Sequence, residues 1–282
     1  MEPKRRSRTL ELPAILRALH QTLDDDPKIL NDPIASRLID ANDDRQWLKP
    51  ILDHPFAKQW RAGFALRARY AEDCLAEGVQ RGVRQYIVLG AGLDTFAYRQ
   101  SPWASALRIY EVDHPSSQEW KRERLKTANV AVPGNLTFVP IDFERTSIPE
   151  ALRVADFAFD AVTLCSCMGV TQYLTTAALE ATFRFVLSLP KGSEIVFSYL
   201  IPQRELSGIE AEAVALAAQR AAEIGEPWLT RLNAQELAAK LRAMGFSRVI
   251  PLLPEEADRR YFSNRGDGLR ARRGEQLIRA IV

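Results

Sequence analysis

IVLGAGLDT, residues 87–95, is the stretch that decides the fold, because an apolar run breaks there into a glycine turn with a helix expected after it. Gly90 and Gly92 allow the backbone to come close to a ligand, since glycine has no Cβ. The start of the expected helix would offer free N–H groups to polar or anionic ligand atoms. The pattern indicates a nucleotide-binding α/β fold, although such a turn also occurs as a plain strand-to-helix connection.

Two acidic residues end the next apolar run, about 20 residues beyond the turn. This run reads RIYEVD, residues 108–113, and its acids Glu111 and Asp113 share strand parity. In dinucleotide folds a carboxylate at this place accepts hydrogen bonds from ribose hydroxyls. We expect one of the two to face a ligand, and the alternative is an ordinary polar strand end.

The turn lacks the third glycine of a pyrophosphate fingerprint, because position 95 is threonine. S-adenosylmethionine has no phosphate, so a looser turn suffices for this cofactor. A third run, VPIDF at residues 139–143, places Asp142 beside Phe143, an acceptor and an apolar ring that suit adenine. A strand-end aspartate before a core phenylalanine is the alternative. These features favour S-adenosylmethionine over NAD, and a nicotinamide-dependent oxidoreductase is the rival enzyme class.

Short apolar runs alternate with helical segments from Gln85 onward, which is typical of βα units in a parallel sheet. The predicted fold class is α/β, a Rossmann-like sheet with helices on both faces and an N-terminal helical cap. We expect the cap over residues 1–80 and the catalytic domain over 81–282, with a helical insert at about 202–230. Strands are predicted over 85–89, 107–112, 137–140, 159–165 and 194–200. Helices are predicted over 115–128, 177–189, 209–224 and 234–244. Two further runs, 248–253 and 275–282, could complete the sheet at its edge.

Composition predicts a globular protein and disfavours several partners. The chain of 282 residues is 46% hydrophobic, and its formal net charge of +2 gives no field that would favour nucleic acid or an anionic membrane. No apolar run approaches the roughly 18 residues of a membrane span. Three cysteines are too few for a disulfide framework, so a cytoplasmic location is expected. The sequence predicts no particular oligomeric state.

With these motifs the chain resembles the leucine carboxyl methyltransferase-like family of class I S-adenosylmethionine-dependent methyltransferases, in its bacterial polyketide O-methyltransferase branch. The resemblance is carried by GAGLDT at 90–95 with AYR at 97–99, and by YEVDHP at 110–115 followed by Lys121. Further likeness lies in GVTQYLT at 169–175, GSEIVF at 192–197 and GEPW at 225–228.

The resemblance implies a set of cofactor-binding residues. Arg67 would pair its planar guanidinium with the methionine carboxylate of the cofactor, and Arg69 is the competing choice. Gly90 would lie against the cofactor, and Asp113 would bind its ribose. The full predicted set is Arg67, Gly90, Ala91, Gly92, Asp94, Asp113, Asp142, Phe143 and Ser166.

One position departs from the family pattern, because Met168 stands where many relatives carry glutamate. This departure leaves open the alternative that the protein binds S-adenosylmethionine without transferring a methyl group. The preceding Cys165 and Cys167 are interpreted as packing residues rather than metal ligands, since no histidine lies near them. No metal site is predicted.

Methyl transfer from a sulfonium is an in-line displacement, so the protein mainly has to position the reactants. His20, His54 and His114 show no recognisable base arrangement, and His114 is interpreted as a surface residue at a helix start. A carboxylic acid with a pKa near ~4.3 needs no base at neutral pH, whereas a phenol near ~10 does. The sequence therefore predicts O-methylation of a small-molecule carboxylate or hydroxyl, polyketide-like or an aromatic acid, and favours the carboxylate. It identifies no catalytic residue.

Overall fold

A computed structural model describes residues 11–39, 45–143 and 145–282, and one seven-stranded sheet forms its centre. The strand order is β3-β2-β1-β4-β5-β7-β6, in which β1 to β5 are parallel and β7 runs antiparallel to both of its neighbours. The strands are β1 Gln85–Leu89, β2 Arg108–Asp113, β3 Leu136–Pro140, β4 Thr163–Cys167, β5 Glu194–Leu200, β6 Arg248–Leu252 and β7 Glu275–Ile281. The predicted fold class is confirmed, and the two C-terminal runs do complete the sheet.

Helices surround this sheet. They are α1 Glu11–Leu23, α2 Ala35–Leu38, α3 Arg45–Leu52, α4 Ala57–Gln80, α5 Pro115–Thr127, α6 Ile148–Val154, α7 Thr176–Leu187, α8 Gly208–Glu223, α9 Ala234–Met244 and α10 Pro254–Ala257. Among the described helices, none is both long enough and apolar enough to cross a membrane.

The central strands are buried on both faces, which explains their continuous apolar sequences. Successive residues of β1 point to opposite sides, so Ile87 and Leu89 join one apolar cluster while Tyr86 and Val88 join another. The first cluster is covered by α6, α7 and α9, and the second by α4. Helices therefore cover both faces, as predicted.

Buried ion pairs and hydrogen bonds connect the N-terminal helices. His20 in α1 lies 2.8 Å from Asp24, and Arg61 in α4 donates to the same carboxylate at 2.7 Å. Arg17 in α1 reaches Asp32 at 3.1 Å and the carbonyl of Leu93 at 2.6 Å. These bonds hold α1 against both α4 and the glycine turn. The division into a cap over 1–80 and a domain over 81–282 stays a prediction, and residues 1–10 and 40–44 lie outside the described residues.

The strand predicted over 159–165 is wrong at its start, since β4 begins at Thr163. Residues before it form a turn in which the N–H of Ala161 bonds the carbonyl of Ala158. The side chain of Gln85 bonds the backbone of Ala158 as well, and the ring of Phe159 packs edge-on against Phe157 at 4.9 Å. The apolar residues that resembled a strand are thus a packed turn.

Candidate functional site

A cavity of about 720 Å³ opens beyond the carboxyl ends of β1, β2 and β4. The strand order reverses between β1 and β4, and ligands of open α/β sheets bind at such a switch point. Residues of α1, α4 and α8 line the cavity as well, among them Leu12, Phe64 and Val214. The volume lies within the range of roughly 300–1,000 Å³ that small-molecule sites occupy.

The glycine turn forms the floor of this cavity. Gly90 has φ +65° and a Cβ built on it would overlap the side chain of Val170, so no other residue fits without strain. The N–H groups of Gly90 and Ala91 both bond the carbonyl of Val112, at 2.8 and 3.3 Å, which fixes the turn to β2. The turn therefore presents bare backbone to the cavity.

The helix expected directly after the turn is absent. Residues 96–98 form only a short 3-10 segment, because Asp94 accepts a hydrogen bond from the N–H of Phe96 at 2.8 Å and closes a local turn. The predicted row of free helix N–H groups is consequently wrong. What remains at the cavity is the turn itself and the side chain of Asp94.

Of the two acids at the end of β2, Asp113 is the one that lines the cavity. One of its oxygens accepts from the N–H of Gly92 and the other from the N–H of His114, each at 2.6 Å. Burial raises the pKa of Asp113 above its ordinary value. Glu111 instead pairs with Lys121 at 2.7 Å, and both side chains are only 1% exposed.

Arg67 lines the cavity from α4, whereas Arg69 does not. Arg67 contacts Glu275 at 3.1 Å, and burial lowers its pKa to about 9. Gly169, directly after β4, has φ +72° and no Cβ, which leaves room for this guanidinium. Arg69 is half-exposed and pairs with Asp73 at 2.7 Å, so it is occupied on the surface of α4.

The other residues of the predicted set divide in two. Ser166 lines the cavity and accepts a hydrogen bond from the buried hydroxyl of Tyr86 at 2.8 Å. Phe143 lines it as well, while the neighbouring Asp142 does not and points toward Arg145 at 3.7 Å. The structure thus brings together every residue of the predicted set except the carboxylate of Asp142.

Several cavity residues were not predicted from the sequence. Arg272 and Glu275 reach the cavity because β7 inserts beside β5, a long-range pairing that places Glu275 opposite Leu200. The charged run RRGE, residues 272–275, directly before an apolar strand was the available signal. Others come from α4, β1, α8 and the loop after α8. These further lining residues include Glu72, Tyr86, Glu210, Arg220 and Trp228.

The histidines do not form a catalytic base arrangement. His114 lines the cavity but acts as the N-cap of α5, where its Nδ1 accepts from the N–H of Ser116. His20 is buried against Asp24, and His54 accepts from the N–H of Phe56. In the described part of the chain, no group of three or more histidine, cysteine or acidic residues could hold a metal ion.

These features fit S-adenosylmethionine. The turn at Gly90 leaves no room for a side chain, Asp113 offers a buried acceptor at the second strand end, and Arg67 offers a buried cation. A doubly wound sheet with this arrangement and without a third glycine has the architecture of a class I methyltransferase.

Comparison with known proteins identifies the family. Residues 11–187, well over half of the chain, match the leucine carboxyl methyltransferase family, and the chain belongs to it. It is 34% identical over 252 residues to the Bacillus subtilis protein named S-adenosyl-L-methionine-dependent methyltransferase YktD, covering 89% of this chain and 81% of that one. A Mycolicibacterium gilvum protein named for the same activity is 30% identical over 260 residues, which cover 83% of this chain and 84% of that one.

Solved structures agree in fold. A Thermobifida fusca protein named as a methyltransferase superimposes with a TM-score of 0.57 at 16% identity, covering 96% of this chain and 94% of that one. A DUF574 family protein from Streptomyces avermitilis superimposes with a TM-score of 0.56 at 14% identity, covering 98% of this chain and 97% of that one. The chain is an S-adenosyl-L-methionine-dependent methyltransferase, which confirms the predicted enzyme class and cofactor.

Proposed function

We propose that this enzyme methylates an oxygen atom of a small molecule, a carboxylate or a hydroxyl, inside the cavity beyond β1 and β4. The observation that carries the proposal is that α1, α4 and α8 line the same cavity as the glycine turn. Bound S-adenosylmethionine supplies an electrophilic methyl group. An enclosed site suits this chemistry because water would otherwise solvate the acceptor oxygen.

We infer that three residues each bind a different part of the cofactor. Asp113 accepts hydrogen bonds from the ribose hydroxyls, because its carboxylate is fixed by two backbone N–H groups and keeps further lone pairs. Arg67 pairs with the methionine carboxylate through its planar fork. Phe143 covers the adenine ring, while Asp142 needs a side-chain rotation away from Arg145 to reach the exocyclic amine.

The chemistry of the cavity favours an acceptor that is already ionised. His114 has its Nδ1 engaged as a helix cap, and neither His20 nor His54 lines the cavity. A carboxylate needs no proton removed at neutral pH, so positioning alone can accelerate its reaction. We therefore favour a carboxylate over a phenol. A cytoplasmic site of action is inferred from the three free, buried cysteines.

Two measurements test this proposal. S-adenosylhomocysteine should raise the melting temperature while NAD does not, because only a ligand of the folded state stabilises it. Incubation with labelled cofactor and a library of acids, phenols, amines and peptides should then place label on oxygen of a small acid or alcohol. Label found only on nitrogen, or only on a macromolecule, would contradict the acceptor class and leave the cofactor site intact.

A further inference from the structure

Two arginines in the cavity share a single carboxylate. Arg67 contacts one oxygen of Glu275 at 3.1 Å, and Arg272 forms an ion pair with the other oxygen. Both guanidiniums also lie against the ring of Phe64, with centroid distances of 4.1 and 5.2 Å. The three charged side chains are each no more than 10% exposed. The cluster therefore holds two buried cations around one shared carboxylate, and the carboxylate of Glu210 lies near Arg272 as a further anion.

Arg272 is the less completely hydrogen-bonded of the two arginines. Burial and the neighbouring Arg67 lower the pKa of Arg272 to about 9, and its Nε is buried without a hydrogen-bond partner among the described residues. The negative charge of Glu210 acts in the opposite direction on this pKa, and its Oε1 accepts hydrogen bonds from the N–H groups of Arg273 and Gly274. An incompletely paired buried cation is costly, and a guanidinium matches a carboxylate in two parallel hydrogen bonds.

The two arginines face different parts of the cavity. Arg67 lies against Gly169, which follows β4 close to the glycine turn. Arg272 lies against Gly63 in α4, where a Cβ would overlap its Nε. Glycine inside a helix costs about 1 kcal/mol relative to alanine, and here it leaves the space that Arg272 fills. Arg272 thus packs against Gly63 of α4, whereas Arg67 packs against Gly169.

The same side of the cavity offers more unused donors. The Nε of Arg220 in α8 and the Nε1 of Trp228 are buried without hydrogen-bond partners in the described part of the chain, and both residues line the cavity. The cavity is also lined by the apolar residues Trp60, Phe64 and Val214. This wall suits a molecule with an apolar body and an anionic group.

We propose that Arg272 binds a carboxylate of the methyl acceptor while Arg67 binds the carboxylate of the cofactor. The inference rests on the proposed function and narrows it to acceptors that carry an acidic group beside an apolar body. Arg272 acts here as a specificity-determining residue. It anchors the acceptor beside Glu275 and Phe64.

The test compares Arg272→Met with Arg270→Met, a change of an exposed arginine outside the cavity. Each protein is saturated with S-adenosylhomocysteine and titrated by calorimetry with a panel of aryl and alkyl carboxylic acids, each paired with its primary amide. We expect the wild type and Arg270→Met to prefer at least one acid over its amide by about tenfold or more. Arg272→Met should lose that preference, while its affinity for S-adenosylhomocysteine stays within about twofold.

Thermal stability separates this role from a structural one. If Arg272 only supported Glu275, its replacement would lower the melting temperature and leave the preference for acids unchanged. If Arg272 binds the acceptor, Arg272→Met loses the preference for acids, while Glu275 still pairs with Arg67. No preference for any acid over its amide in the wild type overturns the inference. Failure of S-adenosylhomocysteine to bind would instead overturn the proposed function.

Discussion

The carboxylate of Asp113 accepts a hydrogen bond from the backbone N–H of Gly92 at 2.6 Å, which joins the end of β2 to the glycine turn 21 residues earlier. Its second oxygen accepts from the N–H of His114 at 2.6 Å, at the start of α5. One side chain thus sets the shape of the turn and the position of the next helix. The residue proposed to bind ribose is held rigidly before any ligand arrives.

Asp113→Asn should therefore weaken the binding of S-adenosylhomocysteine by about 1–3 kcal/mol, because the ribose hydroxyls and two backbone donors lose a charged acceptor. Calorimetric titration measures the change. Asp160→Asn, on an exposed residue, is the matched control and should bind like the wild type. An unchanged dissociation constant for Asp113→Asn would assign the ribose to another group.

The choice between Arg67 and Arg69 gives a second prediction. Arg67→Met should reduce the affinity for S-adenosylhomocysteine by about 1.5–3 kcal/mol, the usual contribution of a hydrogen bond to a charged group. Arg69→Met should leave it unchanged, because Arg69 is bound to Asp73 at 2.7 Å on the surface of α4. Equal effects of both changes would contradict the assignment of Arg67 to the methionine carboxylate.

The sequence was most informative where burial alone determines the structure. Residues 85–89 and 194–200 are strands as predicted, because both are buried along their whole length. It was less informative where one hydrogen bond decides, as with Asp94, which closes a turn at Phe96 in place of the expected helix. Arg272 could not be placed at all. Its position depends on β7 pairing antiparallel with β5, a contact between distant segments.

The cysteines should be unreactive in the folded enzyme. Burial raises the pKa of Cys74 and of Cys167 to about 12, and burial raises that of Cys165 as well. At pH 8 iodoacetamide should therefore label none of them until urea unfolds the chain, since the thiolate is the nucleophile. Because the unfolded thiols release protons first, stability should fall as the pH rises above about 8.5. Rapid labelling of the native protein would contradict this burial.

Breaking the ion pair of Glu111 and Lys121 should destabilise the fold more than replacing both residues together. The two side chains are 2.7 Å apart and 1% exposed, so either Glu111→Gln or Lys121→Met leaves a buried charge without its opposite charge. We expect each single change to reduce the free energy of unfolding in urea by about 3–5 kcal/mol. The double variant should recover part of that loss. Additive losses would show that the two residues act independently.

A side chain at position 90 would take up space that Val170 already fills. Gly90→Ala adds a methyl group at φ +65° where it overlaps Val170, so it combines backbone strain with a collision at the cavity floor. Gly82→Ala is the matched control, because Gly82 has φ +108° but no atom within 4 Å of a built Cβ. Both variants should lose stability through the strained backbone, by about 1–2 kcal/mol. Only Gly90→Ala should also lose affinity for S-adenosylhomocysteine, by at least about tenfold in calorimetry. If the two variants bind the ligand equally well, the turn at Gly90 does not contact the cofactor.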